Sequence, residues 1–509
     1  MKKLILFSAT RTEKRAALLE DDTVVELVVE RPDDIRMQGN IYRGKIKSIL
    51  PGLQSAFIDI GLDKCAFLHA SDVDPTLLLD KKDAVMERYS ARGRTHVKKL
   101  PRIPIEKILS TGQEILVLVT KEPIGSKGAK VTTQISIAGR FLVLVPDSDF
   151  IGVSKKTSDY QKRRKLKQII SQLKPPGIGF IVRTIGLSVS EEEFIKEIHH
   201  LIDQWRQVQK EALAGEGPKR VYKEMGITTR VIRDLLSNDV SNVYVDQKDD
   251  FREIQQYIQA VSPNLSKRVV YYKERIPLFD RFDIEKDLER SLRRKVWLRS
   301  GGYIAFDHAE ALLAIDVNTG RNIGRADFEE TLFQTNMEAA HEIVRQLRLR
   351  DIGGLIVVDF IDMNRADNRK KLETEMRKLL RNDRTSTSST GLSKFSLMEI
   401  TRKRVRPELQ ELYTDVCPMC HGVGWVISPA TVTSRIDRWL RRLEATKRRR
   451  RLSLTVHPSV AAFFNSEGKD IIKEMEKEHK VTLLINEDET LEHDEYIFKP
   501  IDSTNKQKR

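Results

Sequence analysis

Ala311-Leu312-Leu313-Ala314-Ile315-Asp316-Val317-Asn318 and Leu355-Ile356-Val357-Val358-Asp359 are two short apolar runs that each lead into an aspartate. Uninterrupted runs of this length suit strands buried on both faces. Between them, Asp327 with Glu330 gives a capping-box-like start, and Phe333, Met337, Ala340, Val344 and Leu347 follow at alternating spacings of four and three before Gly353-Gly354. The pattern predicts a β-α-β unit with parallel strands and a right-handed crossover. Ligand sites in such sheets lie beyond the carboxyl ends of the strands, where Asp316 and Asp359 emerge, and Asn318 points the same way as Asp316. A single strand-end aspartate often only caps a loop. Two of them with Asn318 on adjoining strands point to a hard divalent cation such as Mg²⁺, which takes one or two carboxylates and keeps waters and phosphate oxygens. Asp362 is a less favoured third ligand.

With 509 residues the chain is too long for one core, and 40% hydrophobic residues are enough to build several. Its 89 basic residues against 74 acidic ones give a net charge of +15 and a pI near 9.5. That balance favours a polyanionic partner, nucleic acid first and a membrane surface second. No apolar run approaches the roughly 20 residues that span a bilayer. The N-terminus has no signal-peptide pattern, so a cytoplasmic protein is expected. Cys65, Cys417 and Cys420 cannot build a disulfide framework, which agrees with a reducing compartment.

Residues 1–34 alternate in strand fashion, through Leu4-Ile5-Leu6-Phe7 and Val24 to Val29. From Gly39 to Val73 short β runs separated by glycine turns follow, and the strand Ile115 to Val119 lies beyond a basic loop at 92–99. Short strands, basic residues and aromatics describe a nucleic-acid-binding OB barrel. Phe57 and Phe67 are either its stacking platforms or ordinary barrel core. Farther on, a turn at Gly125-Ser126-Lys127-Gly128, a basic segment at 155–167 and the strand end at Arg183-Thr184 could together grip a phosphate; an ordinary surface arginine is the rival reading. Ser190 and Glu193 start a helix to about Ala214, and residues 219–280 read as mixed α/β. Residues 384–390 read as a polar loop.

Cys417-Pro418-Met419-Cys420-His421-Gly422 is a zinc-knuckle pattern with half the ligands of a structural zinc. A second copy of the chain could supply the rest, or Cys65 or His421 could; a redox dithiol is the other reading. The remainder is a small α/β tail, with a helix through Ile436, Leu440 and Leu443, a basic block at 447–451, a strand Leu452 to Val456, and a helix over Ile471 to Glu478.

Taken in order, these stretches resemble the ribonuclease E/G family over essentially the whole chain. The most telling are Ala314 to Asn318, Arg345-Gln346-Leu347-Arg348-Leu349-Arg350-Asp351, Gly353 to Met363, and Cys417 to Gly424. The resemblance implies a multidomain α/β and α+β architecture. An RNase H-like domain (1–34 and 216–280) would be interrupted by an S1 (OB) barrel (35–124) and a 5′-sensor region (125–215). A DNase I-like metal nuclease domain (281–405), a zinc link (406–426) and a small α/β domain (427–509) would follow. It further implies an endoribonuclease with Mg²⁺ on Asp316 and Asp359 assisted by Asn318, single-stranded RNA clamped through Phe57 and Phe67, and a 5′-monophosphate pocket at Gly128, Arg183 and Thr184. Cys417 and Cys420 match a zinc shared between two subunits, in homodimers that pair further into tetramers. The family's work in rRNA processing and mRNA decay, on A/U-rich RNA, is implied with it.

The resemblance implies a member nearer the G branch than the E branch, since the long tail typical of the E branch does not follow the small domain in this sequence. Two supporting arginines of the phosphate pocket depart from the pattern. One is replaced within Arg384-Thr385-Ser386 and one falls in Val153-Ser154-Lys155-Lys156 as lysine, which keeps charge and loses the planar fork. Two other classes also fit the composition: a non-catalytic S1-type RNA-binding or ribosome-associated protein, and a metal nuclease acting on DNA.

Overall fold

The two apolar runs are adjacent parallel strands, Leu312–Asn318 and Gly354–Asp359, at the centre of a six-stranded sheet. A computed structural model describes residues 2–31, 36–74, 104–123, 127–153, 160–320, 328–444 and 450–501, in two compact units, Met1–Leu409 and Gln410–Arg509. The expected capping residue Asp327, the basic loop at 92–99, the first part of the basic segment at 155–159, Gly125 and Ser126, and most of the block at 447–451 lie outside the described residues.

The strand order in the central sheet is Lys295–Trp297, Tyr303–His308, Leu312–Asn318, Gly354–Asp359, Leu397–Arg402, Thr387–Ser389. Only the central pair is parallel. The crossover helix Phe328–Leu349 and the helix Ala366–Arg381 cover one face. Ala340, Ile343, Leu347, Leu372 and Met376 pack there against Ile304, Ile315, Ile356, Val358 and Ile400. The opposite face departs from expectation. Among the described residues Ala314, Asp316, Leu355 and Asp359 are exposed, so these strands are buried on one side only. An unbroken apolar run suggested two covered faces, but antiparallel neighbours bring no crossover helices to the second face. The polar stretch at 384–390 also differs from a plain loop. Thr387–Ser389 pairs with Leu397–Arg402 as the sheet's edge strand.

Two distant segments build a second, five-stranded sheet. Lys3–Ala9, Lys14–Glu20 and Thr23–Glu30 form an antiparallel meander, and Val240–Val245 joins Lys3–Ala9 in parallel with Val269–Tyr271 outside it. Within the intervening chain, Ile41–Leu50, Ser55–Asp59, Ala66–His69, Lys130–Thr132 and Glu114–Lys121 form a closed five-stranded barrel, because Ile41–Leu50 pairs with both Ser55–Asp59 and Glu114–Lys121. Ile46, Ile58, Leu68, Val117 and Val131 fill it. Lys219–Tyr222, expected with the five-stranded sheet, pairs instead with the barrel strand Ile41–Leu50.

A four-stranded sheet (Ile151–Val153, Ile178–Val182, Leu142–Pro146, Ile137–Ala138) carries the helices Tyr160–Leu173 and Glu191–Leu213. Ser190 caps the second, its hydroxyl accepting from the Glu193 N–H at 3.3 Å.

The second unit has a three-stranded sheet, Val481–Glu487, Arg450–Val456 and Tyr496–Pro500, with helices Pro429–Glu444, Pro458–Asn465 and Lys469–Glu478. Val432, Ile436, Leu440, Leu454 and Phe464 form its core. The Pro458–Asn465 helix is absent from the pattern read above, since eight residues are too few to show a helical period.

Candidate active site

Asp316 and Asp359 are register partners across the parallel pair. Residues so paired project to the same face, and here that is the open face of the sheet. The amide of Asn318 donates to Asp316 Oδ2 at 2.7 Å, so it orients one carboxylate. Burial, together with the neighbouring carboxylates of Asp316 and Asp362, raises the Asp359 carboxyl above the ordinary aspartate range. Carboxylates gathered on one face are a donor set that a divalent ion would relieve, and all their ligand atoms are hard oxygens. The Asp362 carboxylate accepts from the Ser396 hydroxyl at 2.7 Å.

Two residues that sequence reasoning missed position this end of the sheet. Asn336, fully buried on the crossover helix, donates to the Ile361 carbonyl at 2.8 Å and accepts the Ile361 N–H at 3.0 Å. Glu329, at the start of that helix, accepts from the Asn364 and Arg365 N–H groups at 3.1 and 2.8 Å. The helix joining the two aspartate strands thus also clamps the loop after Asp359. An asparagine within an amphipathic pattern gives no sequence sign of such a role.

On the barrel, Phe57 and Phe67 are register partners with ring centroids 6.0 Å apart in an edge-to-face arrangement. Both are half-buried, while their strand neighbours Ala56, Ile58, Ala66 and Leu68 fill the interior. The two rings therefore lie on the outer wall of the barrel. Lys130 pairs with Phe67 in the same row.

Gly128 and Arg183 have separate neighbours. A side chain at Gly128 would lie 2.0 Å from the Cys65 carbonyl, so the close approach of the two backbones requires glycine there. Arg183 follows the strand Ile178–Val182 and donates to the Gly139 carbonyl at 2.8 Å. Its guanidinium is also held by the Asp234 carboxylate at 2.8 Å. Thr184 begins the short helix after it. Arg233 binds Asp234 as well, and Arg384 donates to the Asp234 carbonyl at 3.4 Å. Ser154, Lys155 and Lys156 lie outside the described residues.

Residues 136–405 match the model of the ribonuclease E/G family, and residues 416–501 match that of the RNase E/G thioredoxin-like domain. Ribonuclease G of Escherichia coli K12 is 34% identical over 472 residues, which cover 93% of this chain and 94% of that protein. The chain belongs to the ribonuclease E/G family. Ribonuclease G of Haemophilus influenzae is likewise 34% identical, over 93% of this chain and 94% of its own. Ribonuclease E of Escherichia coli K12 is 34% identical over 94% of this chain but only 44% of its own length.

In this family member the Cys417/Cys420 pair lies at the beginning of the match to the thioredoxin-like domain. The two cysteines occupy a turn in which the His421 N–H donates to the Cys417 carbonyl and the Val423 N–H to the Cys420 carbonyl, each at 2.8 Å. Gly422 and Gly424 hold the positive φ values, 85° and 88°, that the turn needs. The Cys420 and Met419 N–H groups point at the Cys417 sulfur, and with the Cys420 thiol they lower the Cys417 thiol below its ordinary range. Donors aimed at a sulfur favour the thiolate, the form that binds metal. The next helix starts only at Pro429, so the pair is not at a helix N-terminus as a redox dithiol would be. His421 is engaged by Glu492 at 3.2 Å and is poorly placed to share a metal with Cys420. No helix among the described residues is long and apolar enough to cross a membrane.

Proposed function

We propose that this chain is a Mg²⁺-dependent endoribonuclease that cuts single-stranded, A/U-rich RNA to leave 5′-phosphate and 3′-hydroxyl ends. Endoribonuclease activity follows from the family. The in-register pairing of Asp316 with Asp359 carries the rest of the reading. These two carboxylates would hold the ion with Asn318 assisting. Bound there, Mg²⁺ would supply Lewis-acid polarisation of the scissile phosphate and a lowered pKa for its water. The chain's own contribution is to fix the carboxylates: Asn318 orients Asp316, and Asn336 and Glu329 hold the loop that follows Asp359. Neither aspartate is needed as a general base.

The outer wall of the barrel supports an S1-type RNA clamp, with Phe57 and Phe67 stacking on bases and Lys130 alongside. The barrel would interrupt an RNase H-like domain, and the six-stranded sheet would be the DNase I-like catalytic domain. Gly128, Arg183 and Thr184 are assigned to a 5′-monophosphate pocket, where a ligand phosphate would compete with Asp234 for Arg183. Cys417 and Cys420 would share one Zn²⁺ with a second copy, giving a homodimer and then a tetramer. Val416, Met419, Val423 and Trp425 are exposed beside the pair, as an interface between copies would require. A cytoplasmic role in rRNA processing and mRNA decay completes the reading.

The test is incubation with Mg²⁺ of matched RNA and DNA oligonucleotides, followed by end-group analysis of the products. RNA cleavage leaving 5′-phosphates supports the assignment. Binding without cleavage would reduce the protein to an RNA-binding module, and equal cleavage of DNA would make it a general nuclease.

A further inference from the structure

We propose that Trp297 and Tyr303 form a nucleobase-stacking platform beside the aspartate pair, taking one unpaired base of the same RNA strand whose scissile phosphate lies at Asp316 and Asp359. The proposal rests on the nuclease reading and adds to it a second aromatic contact, on the catalytic sheet itself.

The ladder places these residues. Trp297 is the register partner of Tyr303, and Tyr303 of Asn318. One step along the same strands, Lys295 pairs with Ala305, Ala305 with Asp316 and Asp316 with Asp359. Two parallel rows therefore cross the open face. One holds the lysine and both aspartates, and its neighbour holds the two aromatics and the asparagine. Strands lie about 4.8 Å apart and alternate residues about 6.7 Å, so Trp297 is roughly two strand spacings, about 10 Å, from Asn318.

The aromatic pair has no part in the core. Trp297 is 66% exposed, while Val296 and Leu298 on either side of it are buried. The Trp297 and Tyr303 rings lie 5.4 Å apart at 59°, and Lys295 Nζ is 4.6 Å from the Tyr303 centroid. A large exposed aromatic beside a cation, continuous with a phosphate-handling row, suits a base and its backbone better than an apolar protein partner.

The platform is also rigidly tied to the aspartates. Its turn closes through the Leu298 N–H to the Gly302 carbonyl at 2.8 Å, and the Arg299 and Ser300 N–H groups donate to Glu338 of the crossover helix at 2.6 and 3.1 Å. A side chain at Gly302 would lie 2.7 Å from the Asn318 carbonyl, and one at Gly320 would lie 2.3 Å from the Gly301 carbonyl. The turn is thus wedged against the chain that leaves Asn318, and a base stacked on it is held in fixed relation to the reacting phosphate.

The experiment compares wild type, Trp297→Ala and Trp297→Phe on a single-stranded RNA oligonucleotide and on a set carrying one abasic nucleotide at successive positions around the cut. Melting temperature and sedimentation velocity are recorded for each protein. Trp297→Ala should raise KM about tenfold, within the range for one stacked base, and change kcat less. Trp297→Phe should recover most of the loss. One abasic position should weaken the wild type and cost the Trp297→Ala variant nothing further, the sign of a direct pair. Unchanged kinetics would overturn the proposal, as would an altered sedimentation coefficient with an unchanged abasic profile, which would make the surface a protein interface. If the wild type cuts nothing, the nuclease reading fails, and RNA affinity without metal decides the platform: equal affinity of wild type and Trp297→Ala overturns it.

Discussion

Arg348 of the crossover helix makes ion pairs with both Glu20 and Glu26, at 3.1 and 3.0 Å, and so ties the helix between the two aspartate-bearing strands to the five-stranded sheet. Arg345 adds a bond to the Val24 carbonyl at 3.1 Å. All three charged groups of the Arg348 network are largely buried. Removing the guanidinium leaves Glu20 only Lys3 at 3.9 Å and Glu26 only Arg384 at 4.0 Å among the ion pairs of the described residues, so Arg348→Ala should cost about 3 kcal/mol of stability, read by denaturant unfolding.

The same network predicts acid sensitivity. Burial pushes the Glu26 carboxyl up, but Arg384 and Arg348 outweigh it and hold the group below the ordinary glutamate range. A depressed acid stabilises the fold above its unfolded pKa, about 4.3, and that contribution is lost as pH falls through the lower folded value. The melting temperature should drop below about pH 4.3, and Glu26→Gln should flatten that drop while lowering stability at neutral pH.

Phe57 and Phe67 lie on the barrel's outer wall, and Leu68 beside them lies inside it. Phe57→Ala and Phe67→Ala should each weaken RNA binding by about 1–3 kcal/mol with little change in melting temperature. Leu68→Ala should do the reverse, destabilising the barrel by about 2–5 kcal/mol. Anisotropy titration and thermal melts on the three variants separate the two roles.

Asp234 holds Arg183, so the preference for a 5′-monophosphate over a 5′-hydroxyl should be modest. Asp234→Asn should widen it by about fivefold, the scale of a partly exposed ion pair at about 1 kcal/mol. Arg233 keeps its contact to Glu224 at 2.6 Å in that variant. The ratio of cleavage rates on the two substrates is the readout.

Zinc removal should affect assembly and spare the second unit's fold. Its core is built from Val432, Ile436, Leu440, Leu454 and Phe464, without either cysteine. Chelation, or Cys417→Ser, should convert dimer to monomer by sedimentation velocity while the far-UV spectrum stays unchanged.

The parts legible in the sequence were those governed by local period. Phe333 to Leu347 at steps of four and three gave the crossover helix, and the two apolar runs gave the parallel pair that brings Asp316 beside Asp359. The open second face was not legible, because an apolar run looks the same whether one or both faces are covered. Inward and outward phenylalanines of a barrel differ only in register, which depends on pairing partners far along the chain. The Arg183–Asp234 pair joins a strand end to a separate helix, and Asn336 acts through the backbone of Ile361; neither relationship leaves a spacing pattern.

The most direct test of the aspartate pair is Asp359→Asn, with Mg²⁺-dependent cleavage and RNA affinity measured on the same preparation and Asp316→Asn in parallel. The proposed reading rests affinity on the basic surface and the aromatics, so each variant should bind RNA about as the wild type does and cut it at least about a thousandfold more slowly, the scale of several kcal/mol of lost charge stabilisation. Cleavage at the wild-type rate by either variant would contradict the account.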